Sequence, residues 1–560
     1  MTTSSRQSRW TTGPAIVLYI AATKLFVQLL VAGRYGIFRD EMYYLACAEH
    51  LDWGYVDQPP LIALIGWFAR GVFGSSLLGL RFLPALAGAG LVWLTGKLAR
   101  EMGGGRFAQG FAAFAVLASP IFLLFHHWLT MNAFEPLIWM GAALCVARAI
   151  NTGRPTYWLW FGVVIGVGMQ TKYSVAFFAF GIVAGLILTR HRRFLRSKWI
   201  WLGAIAAFLI FLPNLIWLIR HDFPFLELMN NIRHSGRDVA RGPLAFVLDQ
   251  GMIMNPILFP LWFAGLAWLF FGKPKAGATG TVPDAQSRKY TKSEPGAVAT
   301  GSLPITRGRY LINQNRYAIF AWAYLVMLVT FIVLKGKNYY LAPAYPTLFA
   351  AGAVAFEQLT RRVTERVRRF GRLHWLRHAY TVAIILAGLA LTPLTIPVLS
   401  PEAYIRYQRA LGFEPPKTEN QNTGPLPQHF ADEFGWEDMT REVAKVYHSL
   451  PAEERAQTAI FANSYGQAGA IDFFGPRYGL PEAISNHQNY WYWGPGNYSG
   501  STVIVLGSDG DGDREHFASV QEAAHIYHPY SRRDEHFPIL LCRGLNQNLK
   551  TLWPTIKKWN

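Results

Sequence analysis

Charge is the scarcest thing in this sequence. Asp, Glu, Lys and Arg together supply 16% of its 560 residues, against 52% hydrophobic and 15% aromatic. A chain this apolar is not one soluble globule, and its apolar residues come in blocks. Cysteine is nearly absent as well. Cys47, Cys145 and Cys542 lie far apart and fit no metal-ligand spacing, so they read as free thiols. No Gly-rich phosphate fingerprint follows a strand, and nothing points to a nucleotide-binding Rossmann domain. No small-residue cleavage site follows the first apolar run, which therefore reads as an uncleaved helix rather than a signal peptide.

What is present is a series of apolar runs: 14–33, 77–98, 107–125, 131–149, 157–170, 173–189, 199–219, 251–271, 316–334, 340–359 and 379–399. A spanning helix needs roughly 20 mostly apolar residues, so the expectation is about eleven spans, with joined or re-entrant runs shifting the count to as many as thirteen. The net charge of +19 suits nucleic acid or a membrane protein equally. Its placement decides for the membrane. With the N-terminus in the cytoplasm, the segments 1–13, 99–106, 150–156, 190–198, 272–315 and 360–378 fall inside and carry RHRRFLRSK and the Arg-rich 361–377. The connections 34–76, 126–130, 171–172, 220–250 and 335–339 fall outside and are poorer in Lys and Arg. This is the positive-inside pattern, and it makes the Arg-rich run a topology anchor. Nucleic acid is excluded as a partner. The Gly-, Pro- and Ser-rich 272–315 reads as a flexible cytoplasmic loop.

Beyond about residue 400 no spanning run occurs. Residues 401–560 are expected to form an extracytoplasmic α/β domain of about 160 residues, within the usual domain size. Thr458–Phe461 and Thr502–Leu506 read as short buried strands, Thr440–Ser449 and Val520–Ala524 as helical. SDGDGDRE (508–515) is half a calcium loop without its terminal Glu, hence a solvated turn. WYWGPGNY (491–498) suits either stacking on sugar faces or a turn packed against the membrane portion.

The first outside connection carries Asp40, Glu41, Glu49, Asp52 and Asp57 within eighteen residues, an excess in so uncharged a chain. Ionisable groups at a membrane are costly unless they bind or react with something. The other outside connections add His126, His127, Asn132, Glu135, Lys172, Lys335, Lys337, Tyr339 and Tyr340. Asn132 and Glu135, three apart, share a helix face. Glu135 paired with Arg81 is the purely structural alternative, and a lone lysine at a membrane boundary is ordinarily a snorkelling anchor. Acids and cations gathered on one face suit a reaction in which a carboxylate takes a proton from an acceptor while cations stabilise a departing phosphate.

RDEMYY…GYVDQPPL, TMNAFEP and KGKNYYLAPAYP together resemble the bacterial glycosyltransferases related to the dolichyl-phosphate-mannose–protein mannosyltransferases, within the GT-C superfamily. GPRYGLPEAISNHQNYWYWGP (475–495) resembles the tail of these bacterial members. The resemblance covers residues 14–400 in layout. It implies an α-helical polytopic enzyme of the bacterial inner membrane with a C-terminal soluble α/β domain. It further implies a polyprenyl-phosphate sugar as donor, a glycan, lipid or protein acceptor, transfer at the periplasmic face, and inversion of the anomeric centre. The family's DE motif is Asp40-Glu41, with Asp40 as general base. YVDQPP resembles the Y-F-E-K-P-P segment of the lipid A aminoarabinose transferases, where the acid helps hold a divalent metal. Asp57 stands there, and with His126 and His127 it is the expected metal set. The family's lysine is Gln58 here, and its T-M-D-A acid is Asn132, so a second carboxylate is missing or is supplied by Glu135. Asn132, Glu135 and Gln58 are thereby placed at the acceptor or behind the reacting groups. Lys172 and the Lys335, Lys337, Tyr339 and Tyr340 set fall at the donor phosphate. A transporter or lipid flippase is the competing reading, but no internal repeat or mid-membrane break is visible. A polytopic scaffold would gain nothing from clustered acids and lysines.

Overall fold

The computed structural model describes residues 11–236, 239, 241–273, 315–366, 374–412, 419, 420, 422 and 424–560. Most of the 272–315 loop, the N-terminal ten residues and much of the Arg-rich 361–377 lie outside the described residues.

Every apolar run carries helix. Among the described residues, five helices are long and apolar enough, by length and composition, to cross a membrane: Gly13–Val31, Leu77–Glu101, Met131–Thr152, Lys198–Arg220 and Trp375–Leu394. Two bent pairs raise the number to seven. Several of the other apolar runs conceal breaks. The run 107–125 stops at Leu117 and restarts at Pro120, where proline can begin a helix but not continue one. The run 251–271 is divided at Asn255, whose backbone sits at φ 78°, and its two helices are bent by 100°. The run 340–359 begins as a 3₁₀ turn, Asn338–Ala344, containing Pro343.

Small residues let these helices approach closely. A Cβ at Gly162 would lie 2.0 Å from the carbonyl oxygen of Gly203, locking Tyr157–Met169 onto Lys198–Arg220. Polar residues inside the bundle close broken helix ends. Lys24, fully buried on Gly13–Val31, donates from Nζ to the Phe122 carbonyl at 2.6 Å, and Gln28 donates to that of Leu123 at 2.8 Å. Both carbonyls end the Pro120–Phe125 helix, whose last turn leaves them without helical donors.

Polar connections gather at the two ends of the bundle. At one end, Asn151 Nδ2 donates to Glu101, the Tyr317 hydroxyl to the Glu101 carbonyl, and the Gly105 amide to Glu357. At the other end the connections 34–76, 126–130, 171–172, 220–250 and 335–339 meet one another and the C-terminal region.

That region holds one five-stranded sheet: β1 (Thr458–Ala462), β2 (Ile484–Ser485), β3 (Thr502–Leu506), β4 (Phe517–His525) and β5 (Pro538–Leu545), in the order β2-β1-β3-β5-β4. β1 pairs parallel with β2 and β3, aligning Thr458 with Thr502. β5 pairs antiparallel with β3 and β4. Both expected strands are present, and Thr440–Ser449 lies in the Trp436–Ser449 helix. Val520–Ala524 is a correction, since it forms part of edge strand β4. Its Gln, Glu and Ala favour helix intrinsically, but pairing with β5 overrides that preference. SDGDGDRE forms an exposed turn running into the short Asp513–His516 helix. In the 491–498 stretch the first three residues pack against neighbours, while Gly496 and Asn497 are exposed. The Trp491 and Trp553 indoles each donate to the other's carbonyl, Trp493 stacks on His50 and Tyr492 meets Trp217 edge-on.

One hydrophobic core joins the C-terminal region to the first outside connection. Met42, Leu45, Ile62 and Ala63 are buried together with Trp436, Val443, Ile460, Ala468 and Ile504. The change in composition near residue 400 is therefore no boundary in the packing.

Candidate active site

The acidic motif opens the Arg39–Glu49 helix, so its two carboxylates leave the axis about 100° apart and meet different surroundings. Glu41 turns inward and is fully buried. Its Oε2 accepts from the Phe38 amide at 2.9 Å, which caps the helix start, and from Arg81 Nη2 at 2.8 Å. Its Oε1 accepts from Arg81 Nε at 3.1 Å and from the Leu129 amide at 2.8 Å. Four donors leave it little capacity as a base, so the catalytic role expected for Glu41 is replaced by an anchoring one. Asp40 turns outward, its side chain 29% exposed. Its Oδ1 accepts from the Tyr465 hydroxyl at 2.8 Å and, more weakly, from Arg39 Nε at 3.4 Å.

Arg81 is the centre of a sealed knot. Besides Glu41 it reaches the Ala32 and Gly36 carbonyls at 2.7 and 2.8 Å, His127 Nε2 at 3.3 Å and Glu433 of the C-terminal region at 3.3 Å. The structural pairing of Glu135 with Arg81 is thus not what forms. Burial pushes the Glu433 carboxyl pKa up to about 7, with Arg81 pulling it back down. The neighbouring Asp432 ion-pairs with Arg532 at 2.8 Å and faces Arg39 at 4.0 Å.

Glu135 lies instead with Lys172, 3.0 Å from Nζ, and accepts from the Ser174 hydroxyl. Lys172 also donates to Asn132 Oδ1 at 2.7 Å and sits over the Tyr340 and Tyr339 rings at 4.9 and 5.8 Å. Five residues singled out on three separate connections therefore form one cage. Lys337 is held by Glu419 at 2.8 Å. Lys335 is exposed and has no side-chain partner among the described residues. It ends the Ala318–Val333 helix at φ 53°, with the Lys335 amide on Ile332 and the Gly336 amide on Phe331. This is a Schellman turn with lysine at the left-handed position that glycine ordinarily fills.

Asp57 accepts from the Tyr43 hydroxyl at 2.9 Å, and burial together with that carboxylate pushes the Tyr43 pKa well up, so Tyr43 stays a donor. Gln58 is buried with its amide 3.6 Å from Cys47 Sγ, turned into the protein rather than toward a phosphate. The expected metal set of Asp57, His126 and His127 does not assemble. His127 Nε2 faces the Arg81 guanidinium, and His126 Nδ1 lies 2.6 Å from the Phe122 carbonyl. Among the described residues no three His, Cys, Asp or Glu side chains converge on a metal-sized site. Reading the histidines as surface ligands missed that both are buried. All three cysteines are free thiols, as expected.

Tyr465, Glu433, Asp432 and Glu419 were not legible in advance. Each lies in the C-terminal region, and its relation to the first connection exists only through the fold.

Residues 57–217 match the family model described as dolichyl-phosphate-mannose-protein mannosyltransferase. The lipid A galacturonosyltransferase RgtD of Rhizobium johnstonii is 27% identical over 249 residues, 44% of this chain and 52% of the relative, so the match spans about half of that protein's length. Crystal structures of ArnT from Cupriavidus metallidurans, bound to undecaprenyl phosphate and in the apo state, each share the fold with a TM-score of 0.54 at 13% identity. Each covers 94% of this chain and 97% of the other. The resemblance to the GT-C membrane glycosyltransferases is thereby shown, with the family model covering the TMNAFEP segment but neither RDEMYY nor KGKNYY.

Proposed function

We propose that the protein transfers a sugar from a polyprenyl-phosphate donor to a hydroxyl-bearing glycan, lipid or protein at the extracytoplasmic face of the inner membrane. The N-terminus is cytoplasmic and the C-terminal region faces outward. The observation that supports the reading is that the partly exposed Asp40 and the Lys172 cage share one end of the bundle: Glu41, next to Asp40, accepts from the Leu129 amide, and Lys172 donates to Asn132 three residues further on. Asp40 takes the acceptor's proton as that oxygen bonds to C1 of the sugar. The C1–O bond to phosphate breaks from the opposite side, which inverts the anomeric centre, and its electron pair leaves on the phosphate. Lys335 and Lys172, backed by Tyr339 and Tyr340, stabilise that charge. Asn132 and Glu135 hold Lys172 in place, and Glu41 fixes the helix that presents Asp40. The activated phosphate leaving group makes a nucleotide site unnecessary, and the isoprenoid tail lies along the bundle's lipid-facing surface.

General-base assistance contributes typically 10²–10⁴-fold. Asp40→Asn should lose at least about 10²-fold in released polyprenyl phosphate when purified protein is offered undecaprenyl-phosphate sugars, beginning with galacturonic acid and mannose. Near-wild-type turnover by that variant would remove Asp40 from the mechanism.

A further inference from the structure

We infer that Tyr465 of the C-terminal region is the positioning residue of the base: its hydroxyl fixes one oxygen of Asp40 and leaves the other for the acceptor's proton. The inference rests on Asp40 acting as the base. The C-terminal region is then a working part of the active site rather than an accessory to it.

The contact is built deliberately into two helices. Tyr465 begins the Tyr465–Phe474 helix, whose first turn is capped by the Ser464 hydroxyl accepting from the Gln467 amide. The Tyr465 amide donates to His487 Nδ1 at 3.2 Å. Its ring is wedged between Tyr43, at 4.8 Å between centroids, and the Arg39 guanidinium at 5.3 Å. The helix lies closely against the Arg39–Glu49 helix. A Cβ at Gly466 would come within 2.5 Å of Arg39 Cγ, and one at Gly469 within 3.1 Å of the Met42 backbone. YGQAGA therefore places its first hydroxyl 2.8 Å from Asp40 Oδ1 because its glycines let the helices touch.

Both hydrogen bonds to Asp40 fall on Oδ1, and Oδ2 has no partner among the described residues. A carboxylate with one oxygen pinned keeps the other in a single orientation, which is what an acceptor approaching along one path requires. The step balances: the acceptor proton passes to Oδ2, the O–C1 bond forms, and the C1–O–phosphate bond breaks with its electrons on the phosphate. The same device recurs next door, where the Tyr43 hydroxyl holds Asp57 Oδ1.

The test is Tyr465→Phe in the full-length protein in detergent, followed by release of undecaprenyl phosphate from undecaprenyl-phosphate sugars. Phenylalanine keeps the ring contacts and deletes only the donor. We expect kcat to fall about tenfold, with KM for the donor within about twofold and the melting temperature unchanged. Tyr478→Phe, which deletes an exposed hydroxyl bonded to Glu437 in the same region, should match wild type. In an Asp40→Glu background, where the carboxylate is displaced, Tyr465→Phe should cost nothing further. Wild-type kcat in Tyr465→Phe, or the same tenfold loss on Asp40→Glu, overturns the inference. Full activity of Asp40→Asn overturns the base assignment instead, so the two failures are distinguishable. Should Tyr465→Phe unfold, Gly466→Ala, which pushes the helices apart, must lower kcat for the inference to stand.

Discussion

Two centres at the same end of the bundle join a cation to carboxylate, and they are built differently. Around Arg81 every element is sealed: side-chain exposure is 1% for the arginine and 0% for Glu41 and Glu433. The cation draws together the first connection, the Leu77–Glu101 helix and the C-terminal region. Around Lys172 the exposure rises to 13%, only one acid is present, and one side is aromatic. The first arrangement offers a substrate no access. The second holds its ammonium beside aromatic rings and is slightly open. Burial and saturation distinguish the two centres, and the adjacent Asp40 and Glu41 differ in the same way, one 29% exposed and the other fully buried.

Breaking the sealed centre should have the largest effect. Arg81→Met leaves two buried carboxylates without their cation, a loss of about 3–5 kcal/mol, read as a large drop in melting temperature and in yield of folded protein. Survival of the fold with only a small shift would mean that the knot is not what joins the two parts. The open centre should respond in activity instead. Lys172→Met is expected to lower kcat by about 10²-fold. It also exposes Glu135 to the cost of a buried unpaired charge. The double variant Lys172→Met/Glu135→Met should therefore recover the melting temperature but not turnover. Recovery of both would make this pair as structural as the Arg81 knot. The smallest effect is the most diagnostic. Lys335→Gly relieves a left-handed lysine and should stabilise the protein by about 1 kcal/mol while reducing kcat several-fold. A gain in stability without loss of activity would leave the strained lysine with no task.

How much of this could be read from the sequence depends on which force did the placing. Charge alternation between apolar runs put five connections on one face, because membrane insertion segregates Lys and Arg over short distances along the chain. They do meet: Lys172 finds Asn132, Glu135, Tyr339 and Tyr340. Thr502–Leu506 was legible as a strand because its residues are apolar and mostly β-branched. Glu41 was misjudged because adjacency in sequence says nothing of the side of the helix facing Arg81. Edge strand β4 was read as helix because its residues, largely exposed, carry no burial pattern. The histidines looked like ligands because burial against Arg81 and the Phe122 carbonyl is a tertiary property. The breaks at Pro120 and Asn255 were not legible because they interrupt runs that stay apolar throughout.

The glycine-mediated contact between the Arg39–Glu49 and Tyr465–Phe474 helices also has a consequence for biogenesis. Asp40 leaves the ribosome early and Tyr465 follows 425 residues later, after every apolar run has been made. N-terminal parts fold first during synthesis. A nascent or truncated chain can therefore hold an inserted bundle with its acidic loop displayed while the hydroxyl that pins the acid does not yet exist. The finished geometry at Asp40 becomes a record that translation ran nearly to completion, and partial products carry the carboxylate unaimed.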